Sequence, residues 1–358
     1  MKYLSQIVCI ILLLLSGCSR YEESFDGIDR EMICSGIDYS KRSVIHDNRV
    51  HLISPKYIIL HSTATENVDL CIKYLTGKKD DHKVSCHFLV DQKGNAWNFV
   101  SAYKIAWHAG ISYFNDDEKL NNLSIGIEQV GLNNIDEQQL LEYNTEKQRY
   151  IKENTIKLED RYWVLYTYPQ IKRVSEIVRI LVDRYDIKPW NIISHGDIAY
   201  GRKMDVGLYP WKYIYERFDI GFWPWTNFDA PLFLNDDIVI SILVIYGYRR
   251  PENDTQKKSL LRVFQLHFCG SDYFDGYLKN KGVIKNIPSF GMIDSMTRNM
   301  VYNLSISRAC LDKDFRDKFL NIFKDKKDEL AKIENDIQVA SKNIPNNLIK
   351  YSNIQIAS

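Results

Sequence analysis

The segment Ser194–Trp211 reads SHGDIAYGRKMDVGLYPW. It crowds one histidine, two aspartates, a lysine and an arginine among three glycines and a proline. Imidazole and carboxylate are zinc donors, and a catalytic zinc takes about three protein ligands while keeping one position open. His195 and Asp205 are ten positions apart (205 minus 195), so a loop that folds back can bring both to one ion. Asp197 competes for that role. It precedes Ile198-Ala199 and can instead cap a turn through backbone N–H groups. A third donor must come from elsewhere. Of the eight histidines, His61 stands where the apolar run Tyr57-Ile58-Ile59-Leu60 stops. Spacing alone is weak support, because a lone histidine at a strand end is more often structural than ligating.

These residues need a scaffold, and hydrophobic periodicity outlines one. Tyr57–Leu60 is a short buried-strand pattern, and Val68–Leu75 has the three-and-four apolar spacing of a helix. His87–Val90 followed by Asp91-Gln92-Lys93-Gly94 reads as a strand and turn, with Ala96–Val100 returning. LSIGIEQV, residues 123–130, is a third strong strand. Residues 133–160 are polar and charged, and read as a surface insertion with room for a helix. Pro169 opens an amphipathic helix, with Ile171, Val174, Ile177, Val178, Leu181 and Val182 on one face, that runs out near Tyr185. Trp190–Ser194 leads into the metal-binding candidate. This order predicts an α/β fold with a mixed central β-sheet flanked by helices.

The chain has 358 residues, 45% of them hydrophobic, and a net charge of +1. That mix supports a sizeable core, and the near-neutral charge gives no general field for binding nucleic acid. The N-terminus departs from it. Lys2 precedes the apolar run Ile7–Leu15 and then Leu15-Ser16-Gly17-Cys18, the layout of an export signal too short to span a bilayer. That ending resembles the bacterial lipobox, which implies removal of residues 1–17 and acylation of Cys18. Ser19, where an aspartate would favour inner-membrane retention, directs the expectation to the outer membrane facing the periplasm. Of seven cysteines, Cys34, Cys71, Cys86, Cys269 and Cys310 then remain without a CxxC pair. Export permits disulfides, but an odd set leaves one unpaired, and buried free thiols are the alternative.

HSTAT at 61–65, SIGIE at 124–128 and HGDIAYGRKMDVGLYPW at 195–211 together resemble the zinc-dependent N-acetylmuramoyl-L-alanine amidases of the amidase_2 type. The likeness is greatest to the AmiD-like lipoprotein branch, and more distant to AmpD and the peptidoglycan recognition proteins. Cys86-His87-Phe88 and Ala106-Trp107-His108-Ala109-Gly110 extend it, so that it covers about residues 50–212. The resemblance implies a Zn2+ ion held by His61, His195 and Asp205, which favours Asp205 over Asp197. It also implies a catalytic Glu128 and a catalytic Lys203. Trp107 and His108 would border the substrate groove, and His87 reads as a structural histidine. The implied substrate is peptidoglycan or its muropeptide fragments. Where the relatives carry Asp-Pro-Gly, this chain has Asp205-Val206-Gly207.

After an aromatic, proline-rich junction at 223–235, residues 236–323 resemble the small helical peptidoglycan-binding domain that follows the catalytic domain in AmiD-like proteins. Ile245–Tyr248, Arg262–Phe268 and Gly291–Thr297 carry that likeness. The expected organisation is a signal at 1–17, a lipid-anchored tether at 18–50, a catalytic domain at 51–222, the linker, the helical domain, and a charged, partly disordered tail at 324–358. The rival reading is a noncatalytic peptidoglycan-binding envelope lipoprotein.

Overall fold

The computed structural model describes residues 18–22, 30–34, 36–38, 40, 54–77, 84–153, 155–269 and 289–352. The expected signal segment lies outside the described residues. Cys18 is described only through its backbone, in a strand paired with Arg30–Cys34.

A six-stranded mixed sheet forms the centre. Its strands in chain order are β1 (Ile37–Asp38), β2 (Tyr57–Ser62), β3 (Phe88–Val90), β4 (Ala96–Asn98), β5 (Ser124–Gln129) and β6 (Ile192–Ser194). Their spatial order is β6-β2-β5-β3-β4-β1. The four strands from β6 to β3 run parallel, and β4 turns back antiparallel to β3. Tyr57, Ile58, Ile59 and Leu60 are all fully buried, because a parallel strand covered on both faces has no solvent side on which to alternate.

Helix α1 (Val68–Leu75) starts at Asn67, whose side chain accepts from the Leu70 N–H. Helix α2 (Tyr168–Tyr185) is capped by Thr167 and has Pro169 in its first turn. Ile171, Val174, Ile177, Val178 and Leu181 are buried along it. Gln170 stitches that helix to the sheet by donating from Nε2 to the carbonyls of Val90 and Val130. Two short helices follow the last strand, α3 (His195–Ile198) and α4 (Trp211–Phe218).

The C-terminal part is helical: α5 (Asp236–Tyr246), α6 (Asp254–Phe264) continuing into a π turn at Gln265–Cys269, α7 (Ser295–Ala309), α8 (Lys313–Asn321) and α9 (Lys327–Ser341). Its core is continuous with that of the sheet. Ile58, Ile198, Trp211, Tyr248, Phe264 and Phe323 belong to one buried cluster.

Three expectations change. The tail is packed rather than solvated through residue 352. Leu330, Ile333, Ile337 and Ala340 form a stripe at helical spacing on α9, and Ile333, Leu348 and Tyr351 join the main core. Most of the charged residues that dominate its composition are exposed, whereas Asp336 is buried and accepts from the Tyr302 hydroxyl. The junction 223–235 is strapped down: Phe228 and Ala230 donate backbone N–H groups to Asn303 and Asn299, and Trp225 donates to the Ala340 carbonyl. The polar insertion is more than a surface loop. Asn134–Asp136, Thr155–Leu158 and Arg161–Val164 make a three-stranded sheet of their own, with helices at Glu137–Leu141 and Thr145–Glu153. Cys71, Cys86 and Cys310 are buried free thiols, and Cys269 is buried as well.

Candidate metal site

The parallel strands deliver the chemistry at their carboxyl ends, the usual location of sites in open α/β sheets. His61 is the penultimate residue of β2, and its register partner on β5 is Glu128. His195 directly follows β6, whose Ser194 pairs with Leu60 on the other side of β2. Adjacent strand ends therefore bring His195, His61 and Glu128 together. The loop after α3 folds back, with the Gly196 N–H donating to the Asp205 carbonyl at 2.6 Å. This return brings Asp205 to the histidines. The Asp205–Val206 peptide is cis.

His61, His195 and Asp205 form the metal-compatible group among the described residues. Nδ1 of His61 lies 3.1 Å from Nδ1 of His195, which lies 3.1 Å from Oδ2 of Asp205. The third side of the triangle, His61 Nδ1 to Asp205 Oδ2, is 3.8 Å. Tetrahedral zinc with bonds of about 2.0–2.1 Å sets its ligands about 3.3 Å apart, so this triangle has the right size. Its donors fit as well. Burial, then the neighbouring charge of His195, holds the His61 imidazole well below its usual range and so unprotonated. Burial alone would raise the Asp205 carboxyl, but its contact with His195 and the charge of Lys203 outweigh it and keep it ionised. Two imidazoles and a carboxylate facing one another could hold a cation between them.

Glu128 is beside this group, and its Oε2 is buried without a hydrogen-bond partner among the described residues. Burial, then the charge of Asp205, pushes its carboxyl up to about 8, with Lys203 opposing. Lys203 is exposed at the loop, and its charge acts on His61, Asp205 and Glu128 alike.

His108 has a different place from the one expected at the groove. His61 Nε2–H faces His108 Nδ1 at 2.9 Å, and His108 Nε2–H faces Ser124 Oγ at 3.4 Å. The Ser124 hydroxyl in turn donates to the Leu120 carbonyl. Each donor in this chain is used once, which fixes His61 with Nδ1 free for a metal. His108 orients the His61 ring from behind and has both nitrogens engaged. Its ring lies against β5 at Gly126, where an added Cβ would sit 2.4 Å from His108 Cγ. Trp107, by contrast, remains 46% exposed.

Asp197 is the N3 residue of a capping box with Ser194, the turn role open to it in the sequence. Sequence reasoning missed three supports. Asn121 Oδ1 accepts from the backbone N–H groups of His108 and Ala109, and Asn133 Oδ1 accepts from that of Gly207. Trp163, from the insertion, packs against Gly207 and clusters with Leu208 and Met204 of the metal loop. Only Gly126, a glycine inside a strand pattern, carried a sequence signal, that of a close approach.

His87 is structural. Its Nε2–H donates to the Lys104 carbonyl, and its Nδ1 accepts from the Gly126 N–H. Burial pushes its pKa down from 6.5 to about 4. A histidine lowered on folding takes up a proton more readily when unfolded, so its stabilisation is complete above about pH 6.5 and declines toward pH 4. The full loss is roughly 3 kcal/mol at about 1.4 kcal/mol per pH unit. Denaturant titrations from pH 7 to 5 should show metal-free protein losing stability, with a shallower slope in His87→Gln. An unchanged slope would mean that His87 is not the titrating group.

A mixed sheet presenting a His-His-Asp cluster with an adjoining glutamate defines the chain as an α/β protein whose strand ends could hold a metal. The chain belongs to the Amidase_2 family, N-acetylmuramoyl-L-alanine amidase, which matches residues 52–208. It is 31% identical over 231 residues to the N-acetylmuramoyl-L-alanine amidase AmiD of Escherichia coli, covering 60% of this chain and 74% of that one. It is 30% identical over 125 residues to the 1,6-anhydro-N-acetylmuramyl-L-alanine amidase AmpD of the same organism, covering 35% of this chain and 52% of that one. The crystal structure of AmpDh3 from Pseudomonas aeruginosa in complex with anhydromuramic pentapeptide superposes with a TM-score of 0.55 at 26% identity. It covers 70% of this chain and 91% of that chain.

Proposed function

We propose that this protein is a zinc-dependent hydrolase of the amide between N-acetylmuramic acid, including its 1,6-anhydro form, and the L-alanine of the peptidoglycan stem peptide. The observation that carries the reading is the His61–His195–Asp205 triangle beside Glu128, whose buried Oε2 has no hydrogen-bond partner among the described residues. AmiD and AmpD by name, and the AmpDh3 complex by its ligand, support the substrate class.

Zinc, when bound, supplies acidification of water and polarisation of a carbonyl. The chain's own residues do the rest. Glu128 takes the proton of the attacking water and passes it to the leaving amine of L-alanine. The ammonium of Lys203 offsets the negative charge that grows on the carbonyl oxygen as the amide carbon becomes tetrahedral. His108 holds the His61 ring, and the exposed Trp107 offers an aromatic surface to the substrate. Acylation at Cys18 would tether the enzyme to a bilayer surface, with the outer membrane facing the periplasm as the proposed location. The helical region is proposed to add affinity for the same polymer.

The test is incubation of the mature protein with muropeptides, with and without a chelator, and product identification by mass. Release of intact stem peptides that stops on chelation and returns with zinc is expected. Binding without cleavage under zinc-replete conditions would replace the amidase reading with a recognition protein.

A further inference from the structure

The carboxylate of Asp197 has a buried network of its own. The residue is 1% exposed, and an ionised carboxylate at such a position costs several kcal/mol unless donors surround it. Four donors do. Two come from its own turn: the Ser194 N–H at 2.8 Å and the Ser194 hydroxyl at 2.7 Å, both to Oδ2. The other two come from the helical region. The Tyr248 hydroxyl donates to Oδ1 at 2.7 Å, and His267 Nδ1 meets Oδ2 at 2.7 Å. Tyr248 follows the end of α5, and His267 lies in the π turn that extends α6. The His267 ring is clamped by stacking on Trp211 at 4.1 Å and on Phe268 at 4.0 Å, so its donor is held in one orientation.

What this network fixes is the turn Ser194–Asp197, which contains His195. The next residue, Gly196, donates its N–H to the Asp205 carbonyl. Two of the three metal-site residues are thus tied to one turn, and that turn is tied to the helical region. We propose that Tyr248 and His267 are positioning residues for the metal site, which makes the helical region a structural part of the catalytic centre rather than only an appended binding module. This inference rests on the metal-site reading above.

The test compares full-length Tyr248→Phe, His267→Ala and His267→Gln with Phe323→Leu. Phe323 is a fully buried core residue of the helical region, outside this network. Three quantities are read: zinc Kd by chelator competition, hydrogen-exchange rates of the Ser194 and Asp197 amides in metal-free protein, and kcat against KM on a muropeptide. Tyr248→Phe and His267→Ala should weaken zinc binding about 10- to 100-fold, the usual effect of losing a partner that orients a ligand. Exchange at the two amides should rise about tenfold, and kcat should fall with KM nearly unchanged. His267→Gln, whose amide can still donate, should recover part of each effect. Phe323→Leu should lower thermal stability and leave the three readouts in place.

Exchange rates and zinc affinities matching those of Phe323→Leu would overturn the proposal, since a purely structural role predicts that result. Wild-type protein that binds zinc without cleaving muropeptides would sink the amidase reading and leave zinc affinity and exchange to decide this one. Wild-type protein that binds no zinc would sink the metal reading, and exchange at the two amides alone would decide whether the network holds the turn.

Discussion

Glu128→Gln should all but abolish hydrolysis while zinc stays bound. The side chain keeps its size and its place on the strand beside His61. Only the ability to accept and return a proton is removed. General acid–base catalysis contributes about 10²- to 10⁴-fold, and kcat should fall by that factor. The three metal-site residues are untouched, so zinc content by elemental analysis should match the wild type. The pH profile adds an independent check. In the metal-free site, burial and then the charge of Asp205 push the Glu128 carboxyl up to about 8. A neighbouring dication favours the ionised form, so the working value lies below that. The ionised base is required, so kcat/KM should fall about tenfold per unit on an acid limb below pH 8. That limb should be missing from the residual activity of the variant. Turnover within tenfold of wild type would remove Glu128 from the proton transfer.

The contrast between Glu128 and His108 shows what sequence can and cannot expose. His61, Glu128, His195 and Asp205 sit in short motifs around strand ends, so their resemblance to a family and the strand pattern agree. Asp197 against Asp205 could not be settled by spacing, and the family likeness favoured the second. In the structure the two carboxylates have distinct partners: Asp205 faces the histidines, and Asp197 faces Tyr248 and His267. Those partners lie 51 and 70 residues away, where no local pattern can announce them. The family likeness placed His108 with Trp107 at the groove, but the close approach at Gly126 turns its ring inward. Composition misled at the tail. Lysine, aspartate and glutamate dominate it, while a narrow stripe from Leu330 to Ala340 does the packing. The insertion was cut at residue 160, between two strands that pair across a tight turn, which hid the sheet that Trp163 belongs to.

That sheet gives the second large expected effect, at a residue with no reactive group. Gly207 is not held in a left-handed conformation, so an alanine there meets no backbone penalty of that kind. It meets Trp163 instead. A Cβ would lie 1.9 Å from Cζ3 and 2.7 Å from Cη2 of the indole. Trp163 is 1% exposed and wedged among Ile156, Leu158, Leu208 and Leu266, so the ring has little room to retreat. The alternative is for the metal loop to lift, which breaks the Gly207 N–H bond to Asn133 and displaces Asp205 two residues earlier. Overpacking of this kind costs about 1–3 kcal/mol in stability. If the loop is what yields, Gly207→Ala should also weaken zinc binding tenfold or more, and activity should recover partly with excess zinc. Trp163→Leu in the same chain removes the obstructing atoms while keeping an apolar side chain. The double variant should therefore bind zinc more tightly than the sum of the two single effects predicts, with a coupling of about 1 kcal/mol or more. Simple additivity would mean that Trp163 does not set the position of the loop, and that the insertion can be trimmed without reaching the metal site.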